Sequence, residues 1–396
     1  MKNKIALVTC YFQHNYGSQL QAYATQQFFQ KLGLKTETIR IDGLKREINK
    51  AKYRYFLSKI FDLGTIKDKL ATVKKKSAKI FKGGEFVQGI KLREAKFNEF
   101  SESKFNLSRI YYSKDELSRN AKLYDAFVVG SDQLWLPSNI EADYYTLNFV
   151  PDDICKISYA TSFGVSSLPL RQSILASKFL KRLNYISTRE KSGVELVSEI
   201  SGRIATLVCD PTILFSGEQW SSMLALDENR LVKSKYVFCY FLGNNRHHRE
   251  FVKKIASKRD WRIVQFKHCD EYIGADEKFA DYAPYDCGPN EFIKMIRDAE
   301  FVFTDSFHCT VFSMLYKKDF FSFRRYSADD SVSTNSRLYN LLELCDCRSR
   351  LLSGYENEDE VMISNVNFDR VSERLKSLRD YSSEWIVSCL KKEGIL

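Results

Sequence analysis

Histidine is scarce in this chain, five among 396 residues, and one of them stands where chemistry is readily done. Residues 300–304 are a short β-branched and aromatic run, which predicts a buried strand. The polar break Thr304-Asp305-Ser306 follows. Beyond it Val311, Phe312, Leu315 and Tyr316 recur at i, i+1, i+4 and i+5, the pattern of a helix with one buried face. Asp305 or Ser306 is the candidate N-cap. His308 therefore falls in the first turn of a helix, just past the C-terminal end of a strand. Ligands of open α/β sheets bind there, and the unpaired N–H groups of a helix start suit an anion. A histidine so placed is a proton donor beside a phosphate seat. The alternative is a histidine that closes the loop by hydrogen bonding to backbone.

Other strand ends carry polar clusters of the same kind. A strand predicted over 5–12 runs into His14-Asn15-Tyr16-Gly17-Ser18, then a helix over 19–31 and a strand over 35–41. This β–loop–α–β unit with a glycine at its turn is the anatomy of a Rossmann-like half. It lacks G-x-G-x-x-G, so it carries no dinucleotide fingerprint, and Gly17 could simply permit a tight turn. A strand over 125–130 ends in Gly130-Ser131-Asp132-Gln133, again in ligand position. Strands over 157–163 and 185–187 follow, and the second opens into Thr188-Arg189-Glu190. The helix macrodipole disfavours a cation at a helix start, so Arg189 points to an anion close by. A plain salt bridge to Glu190 or Asp210 is the competing account.

These clusters need a frame that brings them together. A strand over 205–209 is stopped by Pro211, and the domain junction is placed just beyond it. A fresh series follows, with strands over 236–242, 262–266, 300–304 and 320–323 alternating with helices over 248–258, 290–298 and 337–344. The last strand ends in Arg324-Arg325. The expected fold is α/β, two Rossmann-like domains facing across a cleft in the GT-B manner. The first domain spans 1–213 with a basic helical insertion at about 45–103, and the second spans 214–369. A helix within 370–396 is expected to pack back on the first domain. Asn15, Asp132 and Arg189 would then face His308 and Arg324, an arrangement suited to a phosphorylated donor and a sugar acceptor.

Composition narrows the classes. Hydrophobic residues make up 44% of the chain and aromatics 14%, enough for a large core and against wholesale disorder. No apolar run approaches the about 18 residues needed to span a bilayer, and the short apolar start reads as a strand rather than a signal segment. A cytoplasmic protein is expected. The ten cysteines are scattered without a C-x-x-C pair, which favours reduced core thiols over metal ligands. His247-His248 opens a helix and is expected to be solvated. The formal charge of +11 is concentrated in residues 45–93, where fifteen Lys or Arg face four acids. Tyr53, Tyr55, Phe56, Ile60, Phe61 and Ile80 are spaced through that block at helical intervals. It reads as a basic amphipathic surface suited to anionic lipid headgroups, or as an ordinary solvated helix pair. Nucleic acid is not expected, since no binding motif accompanies the charge.

The clusters, taken in order, resemble the polysaccharide pyruvyl transferase family. The resemblance is carried by Asn15-Tyr16-Gly17-Ser18-x-Leu20-Gln21-Ala22-Tyr23-Ala24, Val129-Gly130-Ser131-Asp132-Gln133-x-Trp135, Ser158-Tyr159-Ala160-x-Ser162-Phe163-Gly164, Thr188-Arg189-Glu190, Asp210-Pro211-Thr212 and Thr304-Asp305-Ser306-Phe307-His308. It implies a GT-B-like fold and transfer of the enolpyruvyl unit of phosphoenolpyruvate to a sugar, ending as a cyclic ketal and free phosphate. It implies no metal and no cofactor, phosphoenolpyruvate being a co-substrate. The acceptor would be a sugar of a bacterial surface polysaccharide or its lipid-linked precursor, at the inner face of the cell membrane. By match, Arg189 would hold the donor, and His308 would contact its phosphate or act as the acid. Asp132 is the candidate base, with Asn15, Tyr16, Gly17 and Gln133 lining the acceptor side of the cleft. The family pattern expects an arginine two residues before the histidine, where this chain has Ser306. Arg324, Arg325 or Arg337 could supply the charge, and Ser306 could still donate a hydrogen bond. A GT-B glycosyltransferase using a nucleotide sugar is the alternative enzyme. A non-catalytic glycan- or membrane-binding relative is the third reading.

Overall fold

The computed structural model of the protein describes residues 3–58, 84–268, 272–325 and 335–396. Short apolar runs become its strands. β1 (Lys4–Val8), β2 (Lys35–Thr38), β3 (Ala126–Val129), β4 (Cys155–Ser158), β5 (Tyr185–Thr188) and β6 (Thr206–Leu207) form one sheet in the order β2-β1-β3-β4-β5-β6. β7 (Tyr236–Tyr240), β8 (Arg262–Gln265), β9 (Phe301–Thr304), β10 (Phe320–Phe323) and β11 (Leu351–Leu352) form a second, ordered β11-β10-β9-β7-β8. The pairings within both sheets are parallel. Parallel sheets are covered on both faces, which is why β3 (AFVV), β9 (FVFT) and β10 (FFSF) are buried at every position. Several strands are shorter than the sequence suggests, although 320–323 is matched and the strand at 185 runs one residue longer. β1, for example, ends at Val8, and the chain leaves the sheet there to reach Asn15.

In each sheet the chain steps outward and then crosses back, from β1 and β2 to β3, and from β7 and β8 to β9. The crevices beyond β1/β3 and β7/β9 are therefore topological switch points, where such sheets bind ligands. Two Rossmann-like domains result, one per sheet, in the GT-B architecture.

Tyr16–Lys31 is the helix that joins them. Asn15 caps it, accepting from the Ser18 N–H at 3.1 Å. Thirteen of its sixteen residues are buried, so it is walled on all sides rather than on the single face that Leu20, Tyr23, Ala24 and Phe28 suggest. Two of its buried amides are anchored to other segments, though Gln19 Oε1 has no hydrogen-bond partner. Gln19 donates to Phe97 O (3.1 Å) and Ser101 Oγ (2.8 Å), and Gln21 accepts the Ser131 N–H (2.9 Å). At its start, Tyr16 lies flat on Phe292 of the second domain, with ring centroids 4.4 Å apart, and its hydroxyl donates to Cys287 O at 2.9 Å.

The basic insertion begins with the helix Lys45–Ser58 and returns as the helix Gly84–Lys104. Residues 59–83, with Ile60, Phe61 and Ile80, lie outside the described residues, as does most of the polar loop at 327–336. The returning helix is not a solvated arm. Phe97 and Phe100 enter the core, and the buried Arg93 donates to Tyr285 O and Pro284 O of the second domain, both at 2.6 Å.

The C-terminal helix Phe368–Lys392 packs on the first domain: Ser382 Oγ accepts the Cys209 N–H (2.8 Å), and Arg379 Nε donates to Ile213 O (2.8 Å). The nine described cysteines are buried free thiols. Among the described residues no helix is long and apolar enough to cross a membrane. His247 is solvated as expected, but His248 is not. It is buried, stacked on Phe323 at 4.5 Å, and burial pulls its pKa down to about 4. The side chain falls on the inner face of the helix Arg246–Arg259, beside Phe251 and Val252.

Candidate active site

The two switch points are each closed by an aspartate. Beyond β3, Asp132 adopts a left-handed backbone (φ 79°), which turns its carboxylate across the crevice toward the start of the Tyr16–Lys31 helix. Its Oδ2 accepts from Ser18 Oγ at 2.7 Å, and its Oδ1 accepts from the Gln133 N–H at 2.9 Å. Beyond β9, Asp305 accepts the Leu242 and Gly243 N–H groups at 2.7 and 2.8 Å, so its carboxylate fills the anion nest of the first β–α turn of the second domain.

Between these points lies a cluster of charges. Arg189, past the end of β5, donates from Nη2 to Asp132 Oδ1 (2.9 Å) and from Nη1 to Asp210 Oδ2 (2.6 Å). Asp210, past the end of β6, also takes the Thr212 N–H (3.0 Å) and Thr212 Oγ–H (2.7 Å). His308 enters from the second domain, its Nε2 3.5 Å from Asp210 Oδ2. Arg337 enters from the helix Asn335–Leu344, its Nη1 4.0 Å from Asp132 Oδ1. Side-chain exposures are 0% for Asp210, 1% for Arg189, 9% for His308, 12% for Arg337 and 16% for Asp132. Both guanidiniums lie against the ring of Phe307, that of Arg189 at 5.2 Å and that of Arg337 at 5.9 Å from its centroid.

Electrostatics follow from this packing. Burial opposes the charge on Asp132, but Arg189, His308 and Arg337 hold its carboxyl well below the usual range. Asp210 is held lower still: burial again opposes, and His308, Arg189 and the Thr212 N–H prevail. Glu190 is pushed up by burial, only partly offset by Arg189. Arg337 is pushed down to about 10 by burial and then by Arg189. The two arginines differ in what they are given. Arg189 is matched by two carboxylates at hydrogen-bond distance. The buried Nε of each is without a hydrogen-bond partner; what sets Arg337 apart is that its closest carboxylate among the described residues is 4.0 Å away. A buried cation so poorly matched calls for an anion.

The structure thus brings Asp132, Arg189, His308 and Arg337 together. Gly17 lies against the imidazole, where any side chain would overlap Nδ1 of His308. Gln133 is half-buried beside Gly164. Ser306 is the N-cap of the helix Phe307–Leu315, its oxygen accepting the Cys309 N–H at 3.5 Å. Asn15 is occupied as a cap, and Tyr16 is buried in the domain interface rather than facing an open cleft. Arg324 is exposed at the end of β10; its neighbour Arg325 turns inward, donating to Asp305 O at 2.8 Å and adding its charge near Arg337. Ser18 and Phe307 are site residues that the sequence reading left without a role, and Asp210 entered it only as a salt-bridge partner for Arg189, which it is at 2.6 Å. Asp210 had a signal of its own, a carboxylate just past a strand end. Among the described residues no group of three or more His, Cys, Asp or Glu side chains could hold a metal ion.

Two Rossmann-like domains closing on a buried, arginine-rich cluster define a protein of GT-B fold. The chain belongs to the polysaccharide pyruvyl transferase family, whose model matches residues 15–326. No curated protein matches it in sequence. Its fold is similar to that of the UDP-GlcNAc 2-epimerase from Methanocaldococcus jannaschii, with a TM-score of 0.51 and 12% identity over 98% of this chain and 99% of that one. It is equally similar to S. aureus MnaA in a co-structure with UDP, with a TM-score of 0.51 and 11% identity over 100% and 98%. At such identities the likeness is one of fold.

Proposed function

We propose that this protein transfers the pyruvyl unit of phosphoenolpyruvate to two hydroxyls of a sugar, in a bacterial surface polysaccharide or its lipid-linked precursor, forming a ketal and releasing phosphate. The observation that carries this reading is the pair of guanidiniums packed against Phe307 beside His308, with Arg337 short of a counter-charge among the described residues. Phosphoenolpyruvate offers a carboxylate and a phosphate, and a site for it needs cations and an acid but no cofactor.

In this reading Arg337 holds the donor, in the role that the family pattern gives to an arginine at the position of Ser306. Arg189 fixes Asp132 and completes the positive wall, and Ser306 offers its hydroxyl to the donor's phosphate. His308 protonates the methylene carbon, and a sugar hydroxyl adds to the resulting cation. A second hydroxyl then displaces phosphate. Asp132 accepts the first hydroxyl proton. A carboxylate with so low a proton affinity is a weak base, but a hydroxyl bonding to a carbocation becomes strongly acidic and needs no more. Arg324 would act only at the rim. The acceptor lies along Gly17 and Gln133, with Asn15 and Tyr16 shaping that wall from behind.

The reading of a nucleotide-sugar glycosyltransferase is disfavoured by Asp305. A diphosphate placed at the second switch point would meet a carboxylate already hydrogen-bonded in the nest. The deciding experiment incubates the protein with labelled phosphoenolpyruvate and a panel of lipid-linked and synthetic glycans. Acceptor-dependent phosphate release with label in the sugar is expected. Turnover of a nucleotide sugar, with none of phosphoenolpyruvate, would sink the reading, and turnover of neither would favour a binding protein.

A further inference from the structure

We propose that Asp210 is the positioning residue for His308, and that the acid of this site is complete only where the two domains meet. The proposal rests on the transfer reading for its chemistry, though not for its geometry. His308 is carried by the second domain's helix Phe307–Leu315, yet both of its ring nitrogens face the first domain. Nε2 is 3.5 Å from Asp210 Oδ2, and Nδ1 lies against Gly17.

Asp210 is suited to hold a ring rather than to meet a substrate. Its side chain is fully buried, and Thr212 and Arg189 fix both oxygens, at 2.7 Å (Thr212 Oγ) and 2.6 Å (Arg189 Nη1). The other charges around the imidazole are Asp132 and Arg189 from the first domain and Arg337 beyond Asp132. The Asp305–Arg325 pair lies on the histidine's own side, with charged atoms 3.6 Å apart. Nε2 is buried without a hydrogen-bond partner at this separation, and Asp210 is the carboxylate placed to accept its proton once the two close up. Nδ1–H is then the proton delivered. It passes to the methylene carbon of phosphoenolpyruvate while the acceptor oxygen bonds to C2, leaving a neutral His308 whose Nε2–H stays with Asp210. A separation of 3.5 Å is long for a hydrogen bond, and catalytic contacts of this kind tighten when substrate is held.

Gly17 is the other half of the arrangement. Its φ lies outside the left-handed region, so its backbone accepts alanine; the obstacle is the imidazole itself. Gly17→Ala is therefore expected to lower kcat about 100-fold in the wild-type protein. The same change should cost nothing further in a His308→Ala background, since the two residues then share no contact. Equal losses in both backgrounds would overturn the proposal.

Asp210→Asn supplies a second test. An acid works only while protonated, so the alkaline limb of the kcat profile reports on the acid of this site. Asp210→Asn is expected to move that limb to lower pH. Asp210→Glu should keep the limb in place. A uniform fall in kcat with the limb unmoved would reduce Asp210 to a structural residue. The NMR spectrum of ¹⁵N-labelled histidine, with the His308 signal assigned by its loss in His308→Ala, reads the same pairing without turnover. A His308 signal unchanged in Asp210→Asn overturns it. Should Asp210→Asn fail to fold, the Gly17 cycle and the NMR spectrum of Gly17→Ala decide: a His308 signal unmoved by that change overturns the proposal. If the wild type releases no phosphate from phosphoenolpyruvate, the transfer reading fails while the NMR result still settles the pairing.

Discussion

Arg337 and Arg189 carry the same charge against one aromatic ring, and the protein treats them differently. Arg189 is neutralised by Asp132 and Asp210, whereas Arg337 is buried with a distant partner and a lowered pKa. Binding an anion relieves that imbalance, so donor affinity should reside in Arg337. Arg337→Ala is expected to raise the KM for phosphoenolpyruvate at least tenfold, measured by phosphate release, with a smaller change in kcat. Arg337→Lys should not restore it, because a lysine lacks the planar fork that grips a carboxylate or phosphate. An unchanged KM in Arg337→Ala would move the donor elsewhere. At this scale the sequence was readable in part. His308, Asp132 and Arg189 announce themselves as polar residues just past strand ends. The choice between Arg324 and Arg325 was not readable, because adjacent residues at a strand end point to opposite sides. Nor was the pairing of His308 with Asp210, which links positions 98 residues apart.

At the scale of elements, the two sheets repeat one device: the aspartate after the third strand in chain order closes the crevice against the first β–α turn. Asp132 does so through the Ser18 hydroxyl and Asp305 through backbone N–H groups. The strand and helix rhythm of both domains is legible in alternating apolar runs and polar breaks, because buried parallel strands leave such a pattern. The fate of the helix Tyr16–Lys31 is not legible. Gln19 and Gln21 are buried against Phe97, Ser101 and Ser131, partners supplied by segments far along the chain. Tyr16 shows the same limit, an apparent cleft residue that serves as a strut. Tyr16→Ala removes a ring stacked on Phe292 and the hydrogen bond to Cys287. It should cost about 4 kcal/mol of unfolding free energy in urea denaturation. A loss below about 1 kcal/mol, the worth of the hydrogen bond alone, would mean that the ring contact contributes nothing.

For the whole molecule the unabsorbed feature is the basic block. Arg93 is withdrawn from it into the interface, but Tyr53, Phe56, Leu57, Val87 and Leu92 are exposed on its two described helices. We propose that this surface meets anionic lipid, holding the enzyme where a lipid-linked acceptor resides. Vesicles containing phosphatidylserine should float the protein at low salt and release it at high salt. Failure to float at low salt excludes the idea.

The helix Tyr16–Lys31 also bears on how the chain is made. Tyr16 is synthesised well before its partners Cys287 and Phe292, with 271 residues separating Tyr16 from Cys287. At about 10 residues per second, an aromatic face emerges from the ribosome and waits on the order of half a minute for its cover. During that interval the nascent first domain presents a sticky surface, and a chaperone has reason to shield it.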